Sequence, residues 1–246
     1  MSQPFRLNKE GLINRNKKIS FTFNGKKLFG YEGDTIASAL IANGIHLVGR
    51  SFKYHRPRGF FGAGVEEPNA KLQVEFNGHS EPNVNATEME LVEGLSATSQ
   101  NCWPSVNFDI GAINNFLKMF FPAGFYYKTF MWPKSFWYKI YEPFIRKAAG
   151  LGVASLEKDK ERYEHKFEYC DLLVTGSGPS GLASAYAAAK NGAKVILAED
   201  KPRFGGTLLT DDVSIDNLSG KDWAEKIISE LKSMPNVTVK NRSQVF

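Results

Sequence analysis

The stretch VTGSGPSGLASAYAAAKNGAKVILAEDKPRFGG, residues 174–206, constrains the fold of this chain more than any other. An apolar strand leads into a G-x-G-x-x-G loop formed by Gly176, Gly178 and Gly181, and an alanine-rich helix and a second strand follow. A lone glycine match is weak, but here the surrounding elements have the order of a dinucleotide-binding unit. We expect the first glycine to make the tight turn, the second to let the backbone approach a pyrophosphate, and the third to let the helix pack closely on the strand.

The second strand ends on an acidic residue, Glu199, which lies 23 residues after Gly176. A carboxylate at this place accepts hydrogen bonds from a ribose 2′-hydroxyl, and its charge repels a 2′-phosphate. Lys201 and Arg203 weaken that repulsion without cancelling it. The loop and the acid together therefore favour NAD or FAD over NADP, and they leave the choice between NAD and FAD open.

A second glycine pair follows in Gly205-Gly206-Thr207. It resembles the second glycine signature of the two-dinucleotide-binding flavoproteins, in which the segment after the third strand touches the adenine, and Val245 lies in the corresponding place here. Nothing near these residues pairs an acid with a base or a nucleophile with its base, so no catalytic residue is predicted. The third strand lies in residues 236–246, where the sequence stops. A doubly wound sheet needs more strands, so we expect an incomplete Rossmann-type domain and a chain that is a fragment.

The beginning of the chain has a different pattern. Residues 19–31 alternate apolar and polar on both sides of Asn24-Gly25, which is a strong hairpin signal. A helix is expected from a cap at Asp34 to a stop at Gly44. Two further strand-like stretches follow at residues 71–78 and 83–94. Hairpin, helix and strands in this order predict a small β-grasp domain over residues 1–100. Together with the Rossmann-type domain, this makes the expected fold class α/β (α+β).

A β-grasp domain with a loop after its helix resembles a plant-type ferredoxin, whose loop carries the cysteines of a [2Fe–2S] cluster. The loop at residues 60–69 has no cysteine, and the chain has only Cys102 and Cys170. We therefore expect no iron–sulfur cluster and no disulfide framework. The four histidines show no ligand spacing, so no metal site is predicted either.

Residues 101–169 are dense in aromatic side chains and are interrupted by prolines. They are either a connector packed over the two domains or an arm that buries its aromatic residues against a partner subunit, and we favour the arm. Uncharged runs are far shorter than a membrane span and no secretory signal is present, so we expect a cytoplasmic protein with no membrane contact. Residues 1–60 carry a net charge of +8 but no nucleic-acid-binding motif, so nucleic acid is not an expected partner.

The three parts, taken in the order 1–100, 101–169 and 170–246, resemble the N-terminal part of the α subunits of heterotetrameric sarcosine oxidase. The resemblance rests on five strings that span nearly the whole chain: SFKYHRPRG, NCWPS, PAGFYYKTFMWP, YEPFIRKAAGLG and CDLLVTGSGPSGLASA. The connector strings are far more specific than the glycine loop.

This resemblance implies an oxidoreductase that demethylates sarcosine to glycine, produces hydrogen peroxide and passes the methyl carbon to tetrahydrofolate. It implies β, γ and δ subunits as partners, FAD and FMN in or near the β subunit, tetrahydrofolate in a C-terminal part outside this sequence, and NAD in this chain. By position, the NAD contacts would come from the glycine loop together with a further set: Ser180, Glu199, Asp200, Lys201, Gly206, Thr207 and Val245. Oxidation of the substrate would take place in the β subunit.

Two other functions stay open. One is the α subunit of an opine- or cyanide-forming FAD dehydrogenase complex, which shares the layout and would pass electrons to a dye or a quinone. The other is a non-catalytic scaffold that docks an oxidase through the basic end and the aromatic arm.

Overall fold

The computed structural model describes residues 3–9, 11–121, 123–124, 130–150, 152–158 and 162–246, except for the side chain of Ala148. The chain divides into two compact units, residues 1–161 and 162–246. Half of the string PAGFYYKTFMWP, namely Pro122 and residues 125–129, lies outside the described residues.

The first unit is built on a five-stranded mixed sheet. Its strands are β1 (Asn14–Phe23), β2 (Lys26–Glu32), β5 (Lys71–Phe76), β6 (His79–Asn85) and β7 (Ser96–Ser99). Their order across the sheet is β2-β1-β7-β5-β6. Strands β1 and β7 run parallel, and the other pairs are antiparallel. A short hairpin of β3 (Gly49–Arg50) and β4 (Pro57–Arg58) forms a separate pair. The expected small mixed sheet is therefore confirmed.

The first hairpin turns where the sequence indicates. Asn24 and Gly25 both have positive φ angles, 48° and 77°. Two such residues make the tight turn whose twist matches that of the flanking strands, and asparagine and glycine adopt this conformation most readily.

The helix after the hairpin, α1 (Ile36–Ala42), buries Ile36, Ala39 and Leu40 completely against the sheet. Its N-cap is Thr35, whose side chain accepts a hydrogen bond from the backbone N–H of Ser38. The expected cap at Asp34 is therefore wrong by one residue.

Asp34 instead forms a buried ion pair. Its two carboxylate oxygens accept hydrogen bonds of 2.9 and 2.8 Å from the guanidinium of Arg6, and it also accepts from the Tyr31 backbone N–H and the Ser38 hydroxyl. This side chain is 1% exposed. A buried carboxylate needs such a partner, so the pair fixes the N-terminal segment to the first helix.

The strand expected over residues 83–94 is confirmed only for residues 83–85 and is wrong for the rest, since β6 ends at Asn85 and β7 begins only at Ser96. The backbone between them pairs with the start of α1: the N–H of Ala37 donates to the carbonyl of Ala86, and the N–H of Ile36 to that of Met89. These bonds hold the segment against the start of α1, so its backbone does not continue β6 along a neighbouring strand of the sheet.

The residues after the sheet contain short helices of several types. They are 3₁₀ helices at Ile110–Asn115, Lys118–Phe120 and Lys134–Phe136, a π-helical turn at Trp137–Tyr141, and the α-helix α2 (Glu142–Ala149). Pro143 stands in the first turn of α2, where the missing N–H costs nothing.

The second unit alternates strands and helices. Its elements are β8 (Leu172–Thr175), α3 (Pro179–Lys190), β9 (Val195–Ala198), β10 (Ser214–Ile215), β11 (Leu218–Ser219), α4 (Gly220–Ser233) and β12 (Val237–Lys240). Strands β12, β9 and β8 form a parallel sheet in that order. Every residue of β9 is buried, as expected for the middle strand of a parallel sheet. The N-cap of α4 is Ser219, whose side chain accepts a hydrogen bond from the N–H of Asp222.

In the part of the chain that the structure describes, no helix combines the length and the apolar character needed to cross a membrane.

Candidate dinucleotide site

The glycine loop lies between β8 and α3. Gly176 has a φ angle of +88°, a conformation that side chains with a Cβ rarely adopt. A Cβ at Gly181 would lie 2.1 Å from the carbonyl oxygen of Gly176, so only glycine lets the helix come this close to the strand. The expected roles of the first and third glycines, the tight turn and the close packing, are therefore confirmed.

The middle glycine, Gly178, is different. Its φ and ψ angles are −65° and −179°, which any residue adopts. A Cβ at this position would meet no heavy atom of the described residues within 4 Å. Neither the backbone conformation nor the packing of the described protein requires a glycine here.

The second glycine pair packs directly on the first loop. Gly205 donates its N–H to the carbonyl oxygen of Ser177 at 3.1 Å and to the Ser177 hydroxyl at 3.0 Å. Gly206 has a φ angle of +54°, and a Cβ there would lie 2.9 Å from the Cα of Gly178. The two glycine segments therefore form one continuous backbone surface at the start of α3.

The acidic residue at the end of β9 is tied to the same loop. Glu199 is 5% exposed, and its carboxylate accepts hydrogen bonds from the backbone N–H of Ser177 at 2.8 Å, from the Ser177 hydroxyl and from the N–H of Lys201 at 3.1 Å. Burial by itself raises the pKa of Glu199, but the hydrogen bonds from Ser177, Asp200 and Lys201 outweigh it, so the pKa is below its usual range. The carboxylate is ionised and fixed.

The neighbouring acid has the opposite shift. The pKa of Asp200 is raised, first by its hydrogen bond to Glu199, then by burial and by the negative charge of Glu199. Two carboxyl groups this close ionise one after the other, so Glu199 carries the charge first.

Ser177 is the site residue that the sequence analysis missed. It is fully buried and connects Glu199 with Gly205 through one hydroxyl. It stands at a variable position of the glycine motif, so the motif gives no signal for it. The short polar side chain between two glycines is the only hint in the sequence.

Three of the residues predicted to contact the cofactor are less closely connected to the glycine loop than Glu199 is. Ser180 lies in the first turn of α3, Thr207 lies in a 3₁₀ helix at Gly206–Leu209, and both are exposed. The chain after β12 passes beside the acid, since the N–H of Ser243 donates to the carbonyl of Glu199 at 2.9 Å. Val245, two residues further on, is 48% exposed, and no hydrogen bond of the described residues joins it to the glycine loop.

The loop of the first unit that was compared with ferredoxin is organised around a carboxylate. Glu67 is 1% exposed and accepts hydrogen bonds from four backbone N–H groups. Cys102 is half-buried, and burial is the main cause that raises the pKa of its thiol. Among the described residues, no group of three or more His, Cys, Asp or Glu side chains could hold a metal ion.

Two family models match the chain. The model described as "2Fe-2S iron-sulfur cluster binding domain" matches residues 16–102, and the model described as "FAD dependent oxidoreductase" matches residues 171–235. These matches place an iron–sulfur type domain before an oxidoreductase domain, in the order that the sequence indicates.

The cofactor predictions are contradicted by these matches. We expected no iron–sulfur cluster, but residues 16–102 match a family model described by that cluster. We expected NAD in this chain, but residues 171–235 match a family model described by FAD. A cluster bound by one chain needs four thiolates, or two thiolates and two imidazoles. Residues 16–102 contain a single cysteine, Cys102, so they do not fit a cluster held by this segment alone.

The chain is also similar to whole proteins. It is 56% identical to "Sarcosine oxidase subunit alpha" from Rhizobium meliloti (strain 1021) over 98% of this chain and 24% of that protein. It is 31% identical to the protein of the same name from Corynebacterium sp. (strain U-96), over 100% of this chain and 21% of that protein. Both are named as subunits, which implies assemblies of several subunits. The chain spans about a quarter of the length of these relatives.

Among solved structures, L-proline dehydrogenase from P. horikoshii matches with a TM-score of 0.54 and 19% identity, covering 98% of this chain and 35% of that chain. This likeness concerns the fold alone. Over nearly its whole length, this chain is homologous to the α subunits of sarcosine oxidase.

Proposed function

We propose that this chain is part of the α subunit of a heterotetrameric sarcosine oxidase. The complex would demethylate sarcosine oxidatively to glycine with formation of hydrogen peroxide, and it would pass the one-carbon unit to tetrahydrofolate. The sequence similarity along 98% of the chain supports this proposal. The reacting groups would belong to the partner β subunit, and the residues of this chain would bind and orient a dinucleotide.

The observation that carries the binding role is the middle glycine of the loop. Gly176 and Gly181 are required by the backbone and the packing, whereas the described protein gives Gly178 no such reason. A glycine without a role in the fold is what a close backbone approach to a pyrophosphate needs. The first turn of α3 beside it has no side-chain cap, so backbone N–H groups are left to bind an anion.

The acid at the end of β9 fits an adenine dinucleotide without a 2′-phosphate. The buried, ionised carboxylate of Glu199 lies against the loop that would hold the pyrophosphate. A ribose hydroxyl would share this carboxylate with the Ser177 hydroxyl, whose hydrogen can turn to another acceptor. A 2′-phosphate would place a second negative charge against a buried carboxylate, which is unfavourable.

The exposed aromatic residues of the connector supply a surface for the partner subunits. Phe116, Trp132 and Tyr138 are between 83% and 84% exposed, and many other large apolar side chains of this segment are also exposed. Many exposed large apolar side chains in one segment are typical of a surface that contacts other subunits.

The activity is tested on the full-length subunit purified together with its partner subunits. We expect sarcosine to cause formation of hydrogen peroxide, with oxygen as the electron acceptor. Electron transfer from sarcosine to a dye without peroxide would indicate a dehydrogenase and would contradict the proposal.

The binding role is tested by replacing Gly178 with valine in the full-length subunit, which is separated from its partner subunits before the nucleotide is released, because the β subunit would carry FAD of its own. A Cβ at this position meets no heavy atom of the described residues within 4 Å, and the branched side chain would intrude on the pyrophosphate, so we expect the adenine dinucleotide released from the subunit to fall to less than a tenth of the wild-type amount. The matched control is Ala187→Val on the exposed side of α3, two turns away, which should retain the nucleotide. Chromatography of the nucleotide released by heat measures both identity and amount.

Several results would contradict this role. They are full dinucleotide content in Gly178→Val, a wild-type complex whose second unit retains no dinucleotide, or a nucleotide that carries a 2′-phosphate. Because peroxide formation is measured separately, failure of the binding role can be distinguished from failure of the oxidase assignment.

A further inference from the structure

A second candidate site lies in the first unit. A cavity of about 470 Å³ is bounded by the β3–β4 hairpin, the loop before β5, the end of β7 and the end of α2. Its lining has many polar and cationic side chains and no Asp or Glu among the described residues. The residues that matter here are Arg50, Lys53, Arg58, Asn69, Lys71 and Asn101.

Three positive charges of this cavity, those of Arg50, Arg58 and Lys71, are not paired with carboxylates of the described residues. Arg50 donates to the backbone carbonyls of Val106, at 2.8 and 2.6 Å, of Asn107 and of His55. These bonds hold the guanidinium without cancelling its charge. No ion pair of the described residues includes Arg50, Arg58 or Lys71.

The framework of the cavity is fixed by hydrogen bonds. Strands β3 and β4 pair Gly49 with Arg58, which places the two arginines on one short hairpin. The side-chain amide of Asn101 donates to the carbonyl of Arg50 at 2.9 Å, and Gln100 and Asn83 exchange two hydrogen bonds. These bonds fix segments of the chain that line the cavity.

We propose that this cavity binds the phosphate group of a small phosphate ester. The three cations Arg50, Arg58 and Lys71 in a polar cavity match the charge of a phosphate, and the guanidinium of Arg58 matches its geometry. The volume exceeds that of a phosphate ion alone and leaves room for the group that carries it. The C-terminal end of α2 at Ala149 has partial negative charge, so the phosphate lies towards the β3–β4 hairpin and the organic part lies towards α2.

The site is independent of the proposed dinucleotide site, since every lining residue belongs to the first unit. It also gives a role to the string SFKYHRPRG, which supplies Lys53 and Arg58.

The test is titration of the full-length protein, saturated with its dinucleotide, with inorganic phosphate and separately with glycerol 3-phosphate. We expect one additional binding site per chain and an affinity that falls as salt is added. Arg58→Gln combined with Lys71→Gln should weaken binding at least tenfold, with unchanged dinucleotide content and thermal midpoint. Tighter binding of glycerol 3-phosphate than of inorganic phosphate identifies an ester as the ligand.

The control is Lys26→Gln combined with Arg162→Gln, which removes the same charge from two exposed positions outside the cavity. It should bind phosphate like the wild type. An equal loss in the control would show a non-specific effect of net charge and overturn the proposal. So would unchanged binding in the cavity variant, or no binding of either probe by the wild type.

Discussion

Glu67 shows how one residue can organise a whole loop. One oxygen of its carboxylate accepts from the backbone N–H groups of Phe61 and Gly62 at 2.5 and 2.6 Å. The other accepts from those of Asn69 and Ala70 at 2.7 and 3.2 Å. Burial raises the pKa of this carboxyl, but the four hydrogen bonds lower it more, so the pKa is below its usual range.

Replacing this carboxylate with its neutral isostere should destabilise the first unit. In Glu67→Gln, one side-chain atom becomes an NH₂ group that faces two backbone donors, so two buried N–H groups lose their acceptor. We expect a loss of about 2–4 kcal/mol in the free energy of unfolding at pH 7. The control, Glu75→Gln on the exposed face of β5, should change it by less than about 0.5 kcal/mol. Urea unfolding followed by circular dichroism measures both.

The pH dependence of this effect has a definite sign. A carboxyl whose pKa is lower in the folded state stabilises fully above its unfolded pKa, which is about 4.3, and loses this contribution as the pH falls through the folded pKa. The difference in stability between wild type and Glu67→Gln should therefore be largest near pH 7 and shrink below about pH 4. A difference that stays constant between pH 7 and pH 3 would contradict this account.

The regular elements follow from local sequence. The Asn24-Gly25 turn, the Ser219 cap and the tight turn at Gly176 all lie where residue type and spacing place them, because a positive φ angle or a cap depends on one or two residues. The cap of α1 was misplaced by one residue because the sequence does not show that Arg6, far away along the chain, binds Asp34.

Elements that depend on distant contacts could not be predicted. The segment 86–94 has the alternation of a strand, yet its backbone bonds to the start of α1. In the same way, the burial of Glu199 against Ser177 depends on the close approach of two loops, while the motif shows only an acid at the end of a strand. The position of the acid was predictable and its hydrogen-bond partners were not.

At the scale of the whole molecule, the connector exposes many large apolar side chains. The exposed apolar side chains of this segment are spread over 3₁₀, π and α-helical turns and the residues next to them. Among these side chains, Phe116 is 84% exposed and Phe144 is 67% exposed. Composition alone shows the excess of aromatic residues, but only the structure shows that the first unit does not bury them. The similar proteins are named as subunits, and under the proposed function this surface would form a subunit contact.

The last prediction concerns this surface. Phe116→Ser combined with Phe144→Ser removes two exposed rings, so the isolated subunit should keep its thermal midpoint while its association with the partner subunits weakens at least tenfold. The control, Leu7→Ser combined with Phe61→Ser, changes two residues of the first unit that are 70% and 83% exposed but lie outside the connector. Co-purification and sedimentation of the complex measure the association. If the connector variant assembles as well as the wild type, its rings do not lie in a subunit contact. If both variants lose assembly equally, general surface hydrophobicity and not the connector drives association.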